Sequence, residues 1–294
     1  MATVGVVGLG LLGGAVAARL RAGGHVVVGY DVVAEKVQAL VELGGRAAPT
    51  ADAVAKAAEA VCVVLPSLAS VDEVVLGPRG LVALSPPGRT IIQMSTISPA
   101  LTERLAREVA AKGLAFLDAP ISGTSAMVAH GEGIVFVGGE RRVFDRWRPV
   151  LETILPRAVF IGQAGQAMVL KLVANLLVAL HSAAAGEALL MARRAGLDLE
   201  LVLDVLSRSA ATSRMLEVRG PLIARGEFPP QMKLDLFMKD LHLIQEAAQS
   251  VGAPIPLTDA SERLYAAALR AGHGGEDLSV VVRALEDAGT ATRP

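Results

Sequence analysis

Short apolar runs alternate with amphipathic stretches over roughly the first half of the chain. Runs rich in Val and Ile predict buried strands, and stretches with apolar residues three or four positions apart predict helices. The predicted strands are 3–7, 25–30, 60–65, 89–94, 114–117 and, as the last, 133–137; the predicted helices are 15–21, 35–43, 51–57, 71–76, 99–112 and 142–155. This alternation predicts an α/β domain built on a mostly parallel sheet.

The second half of the chain contains helical patterns with no strand pattern between them. A long helix is predicted from a glycine-rich turn at 162–165 to about Arg194, before Gly196. Further helices are predicted at 199–207, 212–219, 238–250, 258–271 and 278–287, with breaks at 220–221, 228–230 and 254–256. We therefore expect two domains, 1–162 and 163–294, of which the second is all-helical and is joined to the first by the long helix.

Composition narrows the classes of partner. Hydrophobic residues make up 52% of the 294 positions and aromatic residues only 3%, so the core is built from Ala, Val and Leu. The 28 Lys and Arg residues nearly balance the 29 Asp and Glu residues, giving a formal net charge of -1 without a basic block. Nucleic acid and anionic membrane surfaces are therefore not expected as partners.

The compartment is predicted from apolar runs and from cysteine usage. No segment has the roughly eighteen uninterrupted apolar residues that a spanning helix needs, and the apolar segment 4–18 contains five glycines and no preceding basic region. We expect neither a membrane span nor a signal peptide. Cys62 is the single cysteine, which excludes an intrachain disulfide and fits a reducing, cytoplasmic location. Five scattered histidines show no metal-ligand spacing, so no metal is expected.

A glycine-rich turn joins the first predicted strand to the first predicted helix and reads Gly8-Leu9-Gly10-Leu11-Leu12-Gly13. In a strand, turn, helix and strand context this spacing is the fingerprint of a dinucleotide site, because the glycines let the backbone approach a pyrophosphate at the helix N-terminus. A glycine-rich turn that binds nothing is the alternative. We interpret residues 1–162 as a Rossmann-like, doubly wound NAD(P)-binding domain.

Asp31 ends the second predicted strand, about twenty residues after the glycines. A carboxylate there accepts hydrogen bonds from the adenosine ribose hydroxyls and repels a 2′-phosphate. The following residues, 32–34, include no arginine to receive such a phosphate. We therefore expect NAD rather than NADP, with NADP as the alternative.

Three further segments follow predicted strands and should lie at the same edge of the sheet, where ligands of such folds bind. They are Leu65-Pro66, Ser95-Thr96 and the loop after Asp118, which contains Ser122-Gly123-Thr124. Backbone N–H groups of that loop could receive a carboxylate. Thr96 as a mere cap, and the loop as a tight turn into a helix, are the alternatives.

Lys171 and Asn175 interrupt the apolar first half of the long helix. They are four residues apart and therefore share one face. A buried lysine needs a partner, a polar cavity or the neutral state, so the pair fits a proton-handling site. Alternatively, Lys171 extends its ammonium to the surface and Asn175 pairs with a buried backbone group.

Four stretches in this order resemble the β-hydroxyacid dehydrogenase family over essentially the full length of the chain. They are the glycine turn 8–13, Asp118-Ala-Pro-Ile-Ser122-Gly123, the segment 165–175 with Lys171 and Asn175, and Lys239-Asp240-Leu-His-Leu. The family includes 3-hydroxyisobutyrate dehydrogenase and tartronate semialdehyde reductase. The segment with Lys171 and Asn175 is the most specific part of the resemblance.

The resemblance implies roles position by position. The glycine turn would hold the pyrophosphate, Leu65-Pro66 and Thr96 would line the nicotinamide side, and Ser122 and Gly123 would bind the substrate carboxylate. Lys171 would be the general acid and base, and Asn175 would orient substrate and lysine. Lys239 would lie near the nicotinamide with Asp240 behind it. The second domain would carry substrate and subunit contacts, because family members commonly form dimers or tetramers.

Two positions depart from the family pattern in the region implied to bind substrate. Thr124 stands where members often carry a second glycine, and Met232 stands where many carry phenylalanine. Methionine fills irregular space flexibly. We count Thr124, Met232 and Asp240 among the candidate substrate contacts and expect these departures to alter substrate choice.

The expected reaction is hydride transfer between NAD and the hydroxyl carbon of a short β-hydroxy acid such as 3-hydroxyisobutyrate. Burial would lower the pKa of Lys171 toward the operating pH. One rival interpretation is an NADPH-preferring semialdehyde reductase, which Asp31 disfavours. Another is an NAD-binding module without catalysis, which Lys171 and Asn175 disfavour, and an imine reductase would be expected to lack the lysine.

Overall fold

The computed structural model describes residues 1–291, which divide into two compact units. The first unit is Met1–Lys171 and the second begins at Leu172, so the boundary lies inside the long helix. The first unit contains all the strands and the second is helical within the described residues. A Rossmann-like sheet domain followed by a helical domain is the fold that the sequence predicts.

One nine-stranded sheet forms the centre of the first unit. Its strands are β1 (Thr3–Val7), β2 (Val26–Tyr30), β3 (Arg46–Ala47), β4 (Ala60–Val63), β5 (Thr90–Gln93), β6 (Ala115–Asp118), β7 (Ile121–Ser122), β8 (Ile134–Gly139) and β9 (Ala158–Gly162). The order is β3-β2-β1-β4-β5-β6-β8-β7, with β9 beside β8. Strands β1 to β6 pair in parallel, whereas β8 is antiparallel to β6 and β7 and parallel to β9.

Helices connect these strands. They are α1 (Leu11–Ala22), α2 (Ala34–Glu42), α3 (Ala51–Ala57), α4 (Leu68–Leu76), α5 (Leu81–Leu84), α6 (Pro99–Ala111), α7 (Ser125–Ala129) and α8 (Arg141–Ile154). The order of strands reverses between β1 and β4, since β2 and β3 lie on one side of β1 and the later strands on the other. The crevice at such a switch point is where ligands bind in this architecture.

Alternate residues of the central strands feed two apolar layers. Val6 and Cys62 belong to a layer that contains buried residues of α1 and α8, such as Leu20 and Leu151. Val7, Val61 and Val63 belong to the opposite layer, with buried residues of α3 to α6. The sheet is thus covered on both faces, which explains why its parallel strands are nearly continuous runs of Val, Ile and Ala.

The second unit is built from helices. The long helix α9 (Gln166–Arg194) is followed by α10 (Leu199–Ser207), α11 (Arg214–Arg225), α12 (Leu234–Ser250), α13 (Pro256–Arg270), a short 3₁₀ helix (Leu278–Val280) and α14 (Val281–Ala291). Gly196, with φ +77°, follows α9 as the sequence predicts. Residues 292–294, at the end of the predicted second domain, lie outside the described range.

Two details of the sequence prediction are wrong. The strand at 133–137 is not the last, because β9 (Ala158–Gly162) pairs with β8. The break at Gly220-Pro221 is absent, because α11 continues through both residues. A side chain at Gly220 would come within 2.5 Å of Leu203 on α10, so close packing of the two helices accounts for the glycine. This packing outweighs the helix-breaking tendency of Pro221.

By length and composition alone, α9 could cross a membrane. Less than half of its most apolar stretch is buried within the chain. The same length and composition occur in core helices of soluble proteins, so this property alone does not distinguish the two. The sequence expectation rested on the absence of an uninterrupted apolar run, and Lys171 and Asn175 do interrupt this helix.

Candidate functional site

The glycine turn after β1 is shaped by close backbone packing on one side and by open space on the other. A Cβ at Gly8, where φ is +90°, would lie 2.1 Å from the Val64 carbonyl oxygen. A Cβ at Gly13 would lie 1.9 Å from the Gly8 carbonyl oxygen. A Cβ at Gly10 would meet no atom within 4 Å. Packing therefore requires glycine at Gly8 and Gly13 but not at Gly10, where the open space suits a ligand approaching the backbone.

Helix α1 begins directly at this turn. Gly10 is its N-cap, no side chain caps it, and its first turn contains no acidic residue. The N–H groups at the start of a helix attract anions when no side chain satisfies them. Of the remaining turn residues, Leu9 is buried, Leu12 is partly buried and Leu11 is exposed. The residues present therefore fit a dinucleotide pyrophosphate.

Asp31 is fixed beside the same turn. Its Oδ2 accepts a hydrogen bond from the Leu9 N–H at 2.7 Å, and its Oδ1 accepts one from the Val33 N–H at 2.9 Å. The ammonium of Lys36 lies 3.6 Å from Oδ1. Sequence reasoning did not identify Lys36, although a cation in the first turn of α2 was a readable signal. The carboxylate is thus held next to the turn that would carry the pyrophosphate.

Hydrogen bonds connect the loop after β4 to the loop after β5. Ser95 Oγ accepts a hydrogen bond from the Leu65 N–H at 2.8 Å and donates one to the Val63 carbonyl at 3.3 Å. The side-chain amide of Gln93 forms two hydrogen bonds of 2.7 Å with the Ser95 backbone: its nitrogen donates to the Ser95 carbonyl, and its oxygen accepts from the Ser95 N–H. These bonds fix the neighbours of two candidate contacts, the exposed Pro66 and the partly buried Thr96.

The Ser122-Gly123-Thr124 segment leads from β7 into the short helix α7. All three residues are partly buried. Thr124 is the N-cap of α7, and its Oγ1 accepts a hydrogen bond from the Met127 N–H at 3.2 Å. The hydroxyl hydrogen of Thr124 remains a donor. One of the two departures from the family pattern is therefore a helix cap that adds a hydroxyl beside Ser122 and Gly123.

Asp118 ends β6 and is fully buried. Its Oδ2 accepts hydrogen bonds from the N–H groups of Gly165 at 3.0 Å and Met168 at 2.9 Å. Burial raises the pKa of this carboxyl to about 7, against the two hydrogen bonds, which lower it. Sequence reasoning did not assign Asp118 to the site, although an acidic residue inside an apolar strand end was a signal.

Within the second unit, Asn175 and Lys239 meet at Asp240. The Asn175 Nδ2 donates to Asp240 Oδ2 at 2.7 Å, and the Lys239 ammonium lies 3.2 Å from Asp240 Oδ1. Asp240 is 1% exposed. Because an ionised carboxylate only accepts hydrogen bonds, the nitrogen of the Asn175 amide must face it. The carbonyl oxygen of Asn175 therefore points away from Asp240.

Met232 is partly buried in the segment that precedes α12. Its N–H donates to Asp277 Oδ2 at 3.0 Å, and its carbonyl accepts from the Leu278 N–H at 3.0 Å. Asp277 is buried and also accepts from Arg219 Nε at 3.0 Å. A buried ion pair therefore fixes the backbone of this candidate substrate contact.

The structure groups the candidate residues as follows. In the first unit the segments with Gly8–Gly13, Asp31, Leu65-Pro66 and Thr96 follow the carboxyl ends of β1, β2, β4 and β5, which are neighbours in the sheet. Lys171 and Asn175 lie one turn apart on α9. No group of three or more His, Cys, Asp or Glu able to hold a metal occurs in the part of the chain that the structure describes.

Two family models match the chain. Residues 3–162 match the NAD binding domain of 6-phosphogluconate dehydrogenase. Residues 164–285 match the NAD-binding domain of NADP-dependent 3-hydroxyisobutyrate dehydrogenase. Together the two models account for nearly the whole chain.

Several known proteins are similar to this chain over nearly their whole length. L-threonate dehydrogenase of Cupriavidus necator is 33% identical over 281 residues, which cover 95% of each chain. The 2-hydroxy-3-oxopropionate reductase of Escherichia coli is 34% identical over 283 residues, covering 96% of this chain and 97% of the relative. The crystal structure of 3-hydroxyisobutyrate dehydrogenase from Salmonella typhimurium superimposes with a TM-score of 0.88 at 32% identity, covering 96% of this chain and 99% of that one.

Proposed function

Because the chain belongs to the β-hydroxyacid dehydrogenase family of NAD(P)-dependent oxidoreductases, we propose that it transfers a hydride between NAD and the hydroxyl carbon of a short β-hydroxy acid resembling 3-hydroxyisobutyrate. The observation that carries this proposal is the pair Lys171 and Asn175 on one face of α9, with the Asn175 amide held by Asp240. An oriented amide one turn from a lysine suits proton transfer at a substrate hydroxyl.

The cofactor would lie on the carboxyl ends of the parallel strands. Gly10 and the first N–H groups of α1 would receive the pyrophosphate, with Leu9, Leu11 and Leu12 in the same turn. Asp31 would accept from the ribose, and Leu65, Pro66, Thr96 and Lys239 would lie near the nicotinamide. When bound, NAD accepts or supplies the hydride.

Lys171 would move the proton. In oxidation its neutral amine takes the proton of the substrate hydroxyl, and in reduction its ammonium returns it. Asn175 presents its carbonyl oxygen away from Asp240, so it can accept a hydrogen bond from the amine or the ammonium of Lys171. Asp240 would hold Asn175 and Lys239 in place, and it stays a candidate substrate contact.

The substrate carboxylate would bind at Ser122 and Gly123. Thr124 adds a hydroxyl donor beside them, since its oxygen already caps α7. Met232 would contact the carbon chain, on a backbone fixed by Asp277. A second candidate substrate is a polyhydroxylated acid such as the L-threonate named for the Cupriavidus relative, because the Thr124 hydroxyl suits an additional substrate hydroxyl.

We propose NAD as the preferred cofactor, because the Asp31 carboxylate is fixed by two backbone N–H groups where a 2′-phosphate would approach. The rival is an NADPH-preferring semialdehyde reductase. Lys36 favours this rival to a limited extent, since it places a cation 3.6 Å from Asp31. Initial rates with NAD and NADP at equal concentration distinguish the two.

We further propose that residues 1–162 bind the cofactor and that residues 163–294 contribute to substrate binding and to dimerisation. Exposed apolar side chains of the second unit support a homodimer or homotetramer; they include Leu177, Met191, Leu197, Leu201 and Val205. The single thiol, Cys62, is buried, and this supports a reducing, cytoplasmic location. The formal net charge of -1 supports the absence of an anionic membrane surface as a partner.

The test is a spectrophotometric panel that follows reduced nicotinamide. Short 3-hydroxy acids and L-threonate are offered with NAD and NADP, and glyoxylic, succinic and tartronate semialdehydes with the reduced cofactors. NAD-linked oxidation of 3-hydroxyisobutyrate or a near homologue is the expected result. Turnover of the semialdehydes with NADPH alone would support the rival, and no turnover despite NADH binding would contradict both.

A further inference from the structure

The residue before helix α9 has no side chain that could cap the helix. That residue is Gly165, whose φ of +96° is in the left-handed region that favours glycine. A helix of 29 residues presents unsatisfied N–H groups at its start, and burying them without acceptors is costly. One local acceptor exists, since the Gln163 carbonyl accepts from the Gln166 N–H at 3.1 Å. The Gln166 side chain bonds back to the turn before the helix, where its Oε1 accepts from the Gln163 N–H at 2.8 Å. The N–H groups of Gly165 and Met168 instead donate to a residue that is distant in the sequence.

That partner is Asp118, 47 and 50 residues earlier in the sequence. A single oxygen, Oδ2, accepts both N–H groups. Asp118 sits at the end of β6, where its backbone pairs with Gly138 of β8 inside the sheet. The carboxyl therefore joins the start of α9 to a rigid strand end.

Lys171 is three residues beyond Met168 on the same helix, about 4.5 Å along its axis. Asp118 also immediately precedes the segment 119–124, which contains Ser122 and Gly123. We propose that Asp118 is a positioning residue that fixes the first turn of α9, and with it Lys171, relative to the loop that binds the substrate carboxylate. This inference rests on the proposed function of Lys171 and of that loop.

We call the two hydrogen bonds from Gly165 and Met168 to Asp118 the anchor of α9. This anchor requires an acceptor oxygen at Asp118 rather than a negative charge. Asp118 Oδ1 has no hydrogen-bond partner among the described residues, so a proton there leaves Oδ2 free to accept both N–H groups. Asparagine has the same shape and the same single carbonyl oxygen. Alanine has no acceptor and leaves both N–H groups buried without a partner.

The experiment compares Asp118→Ala, Asp118→Asn and Gln166→Ala with the wild-type protein. We expect Asp118→Ala to lower kcat at least about 30-fold with the KM for NAD within about threefold, because the lysine is misplaced while the cofactor turn is untouched. Asp118→Asn should keep kcat within about fivefold. Gln166→Ala, which removes only the side-chain hydrogen bond to the Gln163 N–H, should keep kcat within about threefold.

Hydrogen exchange of the segment 164–172 provides a readout independent of activity. Asp118→Ala should accelerate exchange there at least about tenfold, and Asp118→Asn should not. If the wild-type protein turns over no substrate while this pattern appears, the proposed function fails but the anchor stands. Wild-type kcat or wild-type exchange in Asp118→Ala overturns the anchor.

A further variant covers the case in which Asp118→Ala does not fold. The hydroxyl of Asp118→Ser is too short to reach both N–H groups. We expect its kcat to lie at least about tenfold below that of Asp118→Asn. Equal kcat values in these two variants would overturn the proposal.

Discussion

The Asn175 amide donates a 2.7 Å hydrogen bond to Asp240, and this bond decides which end of the amide is left for chemistry. Asn175 lies on α9 one turn beyond Lys171, and Asp240 lies on α12 next to Lys239. A buried carboxylate that only accepts hydrogen bonds fixes the amide nitrogen toward itself. The carbonyl oxygen of Asn175 consequently faces away from Asp240, where it can accept a hydrogen bond.

Replacing Asp240 by asparagine should release this orientation. The new amide can donate as well as accept, so the Asn175 amide can turn over and present its nitrogen. We expect kcat to fall about 10-fold to 100-fold, with a much smaller change in NAD affinity. Steady-state kinetics and cofactor titration measure both quantities.

Glu246→Gln is the matched control, since it makes the same carboxylate-to-amide change at an exposed position of α12. It should leave kcat unchanged. Equal kcat values for Asp240→Asn and Glu246→Gln would show that the Asn175 orientation has no role in turnover.

The glycine turn predicts opposite outcomes for two alanine variants. Gly10→Ala places a methyl group in open space, so the melting temperature should change by less than about 2 °C. The same methyl group would meet the pyrophosphate, so the Kd for NADH should rise at least about tenfold. Thermal denaturation and fluorescence titration provide the two values.

Gly13→Ala should instead destabilise the fold, because its methyl group would lie 1.9 Å from the Gly8 carbonyl oxygen. A helix interior normally gains up to about 1 kcal/mol from this change. A Gly13→Ala protein as stable as wild type, or a Gly10→Ala protein with unchanged NADH affinity, would contradict this account of the turn.

Cofactor choice should depend on Asp31. Asp31→Ser removes the fixed carboxylate and leaves Lys36 next to the ribose position. We expect kcat/KM for NAD to fall at least about tenfold while kcat/KM for NADP rises. Asp52→Ser, which alters a carboxylate in the first turn of α3, serves as the control. An unchanged NAD-to-NADP ratio in Asp31→Ser would remove Asp31 from cofactor selection.

Asp118 should make stability depend on pH. Its folded-state pKa of about 7 lies above the ordinary value of 3.8, so the folded protein binds a proton that the unfolded chain releases. Its contribution to stability is therefore full at low pH and declines as pH rises from about 4 to about 7. Between pH 5 and pH 8 the loss should be on the order of 3 kcal/mol.

Urea denaturation of wild type and Asp118→Asn at the two pH values isolates this contribution, because asparagine does not titrate. The wild-type free energy of unfolding should fall relative to the variant on going from pH 5 to pH 8. A constant difference between the two proteins would mean that Asp118 titrates alike in the folded and unfolded states.

Local patterns allowed much of the fold to be predicted. β1 and the fingerprint glycines are contiguous, and Asp31 follows the next strand. Helix α6 begins at Pro99 as predicted, and the Ser98 Oγ caps it by accepting from the Leu101 N–H. The β9 strand was missed because it has only five residues, most of them partly buried, and lies between two helices. Continuation of α11 through Pro221 depends on α10, which a local pattern does not contain.

In the candidate site, too, the features that are local in the sequence could be predicted, whereas the long-range contacts could not. Lys171 and Asn175 were found because four residues separate them on one helix. The bonds of Asp118 to Gly165 and Met168 span 47 and 50 residues, and the Asn175 bond to Asp240 spans 65. Such contacts are set by tertiary packing, so the sequence indicates the residue types and not their pairing.

The most direct test of the central claim is the turnover of Lys171→Ala with the substrate found in the panel. The account predicts a loss of kcat of at least about 100-fold, with the Kd for NADH within about threefold of wild type, and no loss in the control Lys112→Ala at the exposed end of α6. Near-normal kcat in a folded Lys171→Ala protein would contradict the assignment of Lys171 as the acid and base.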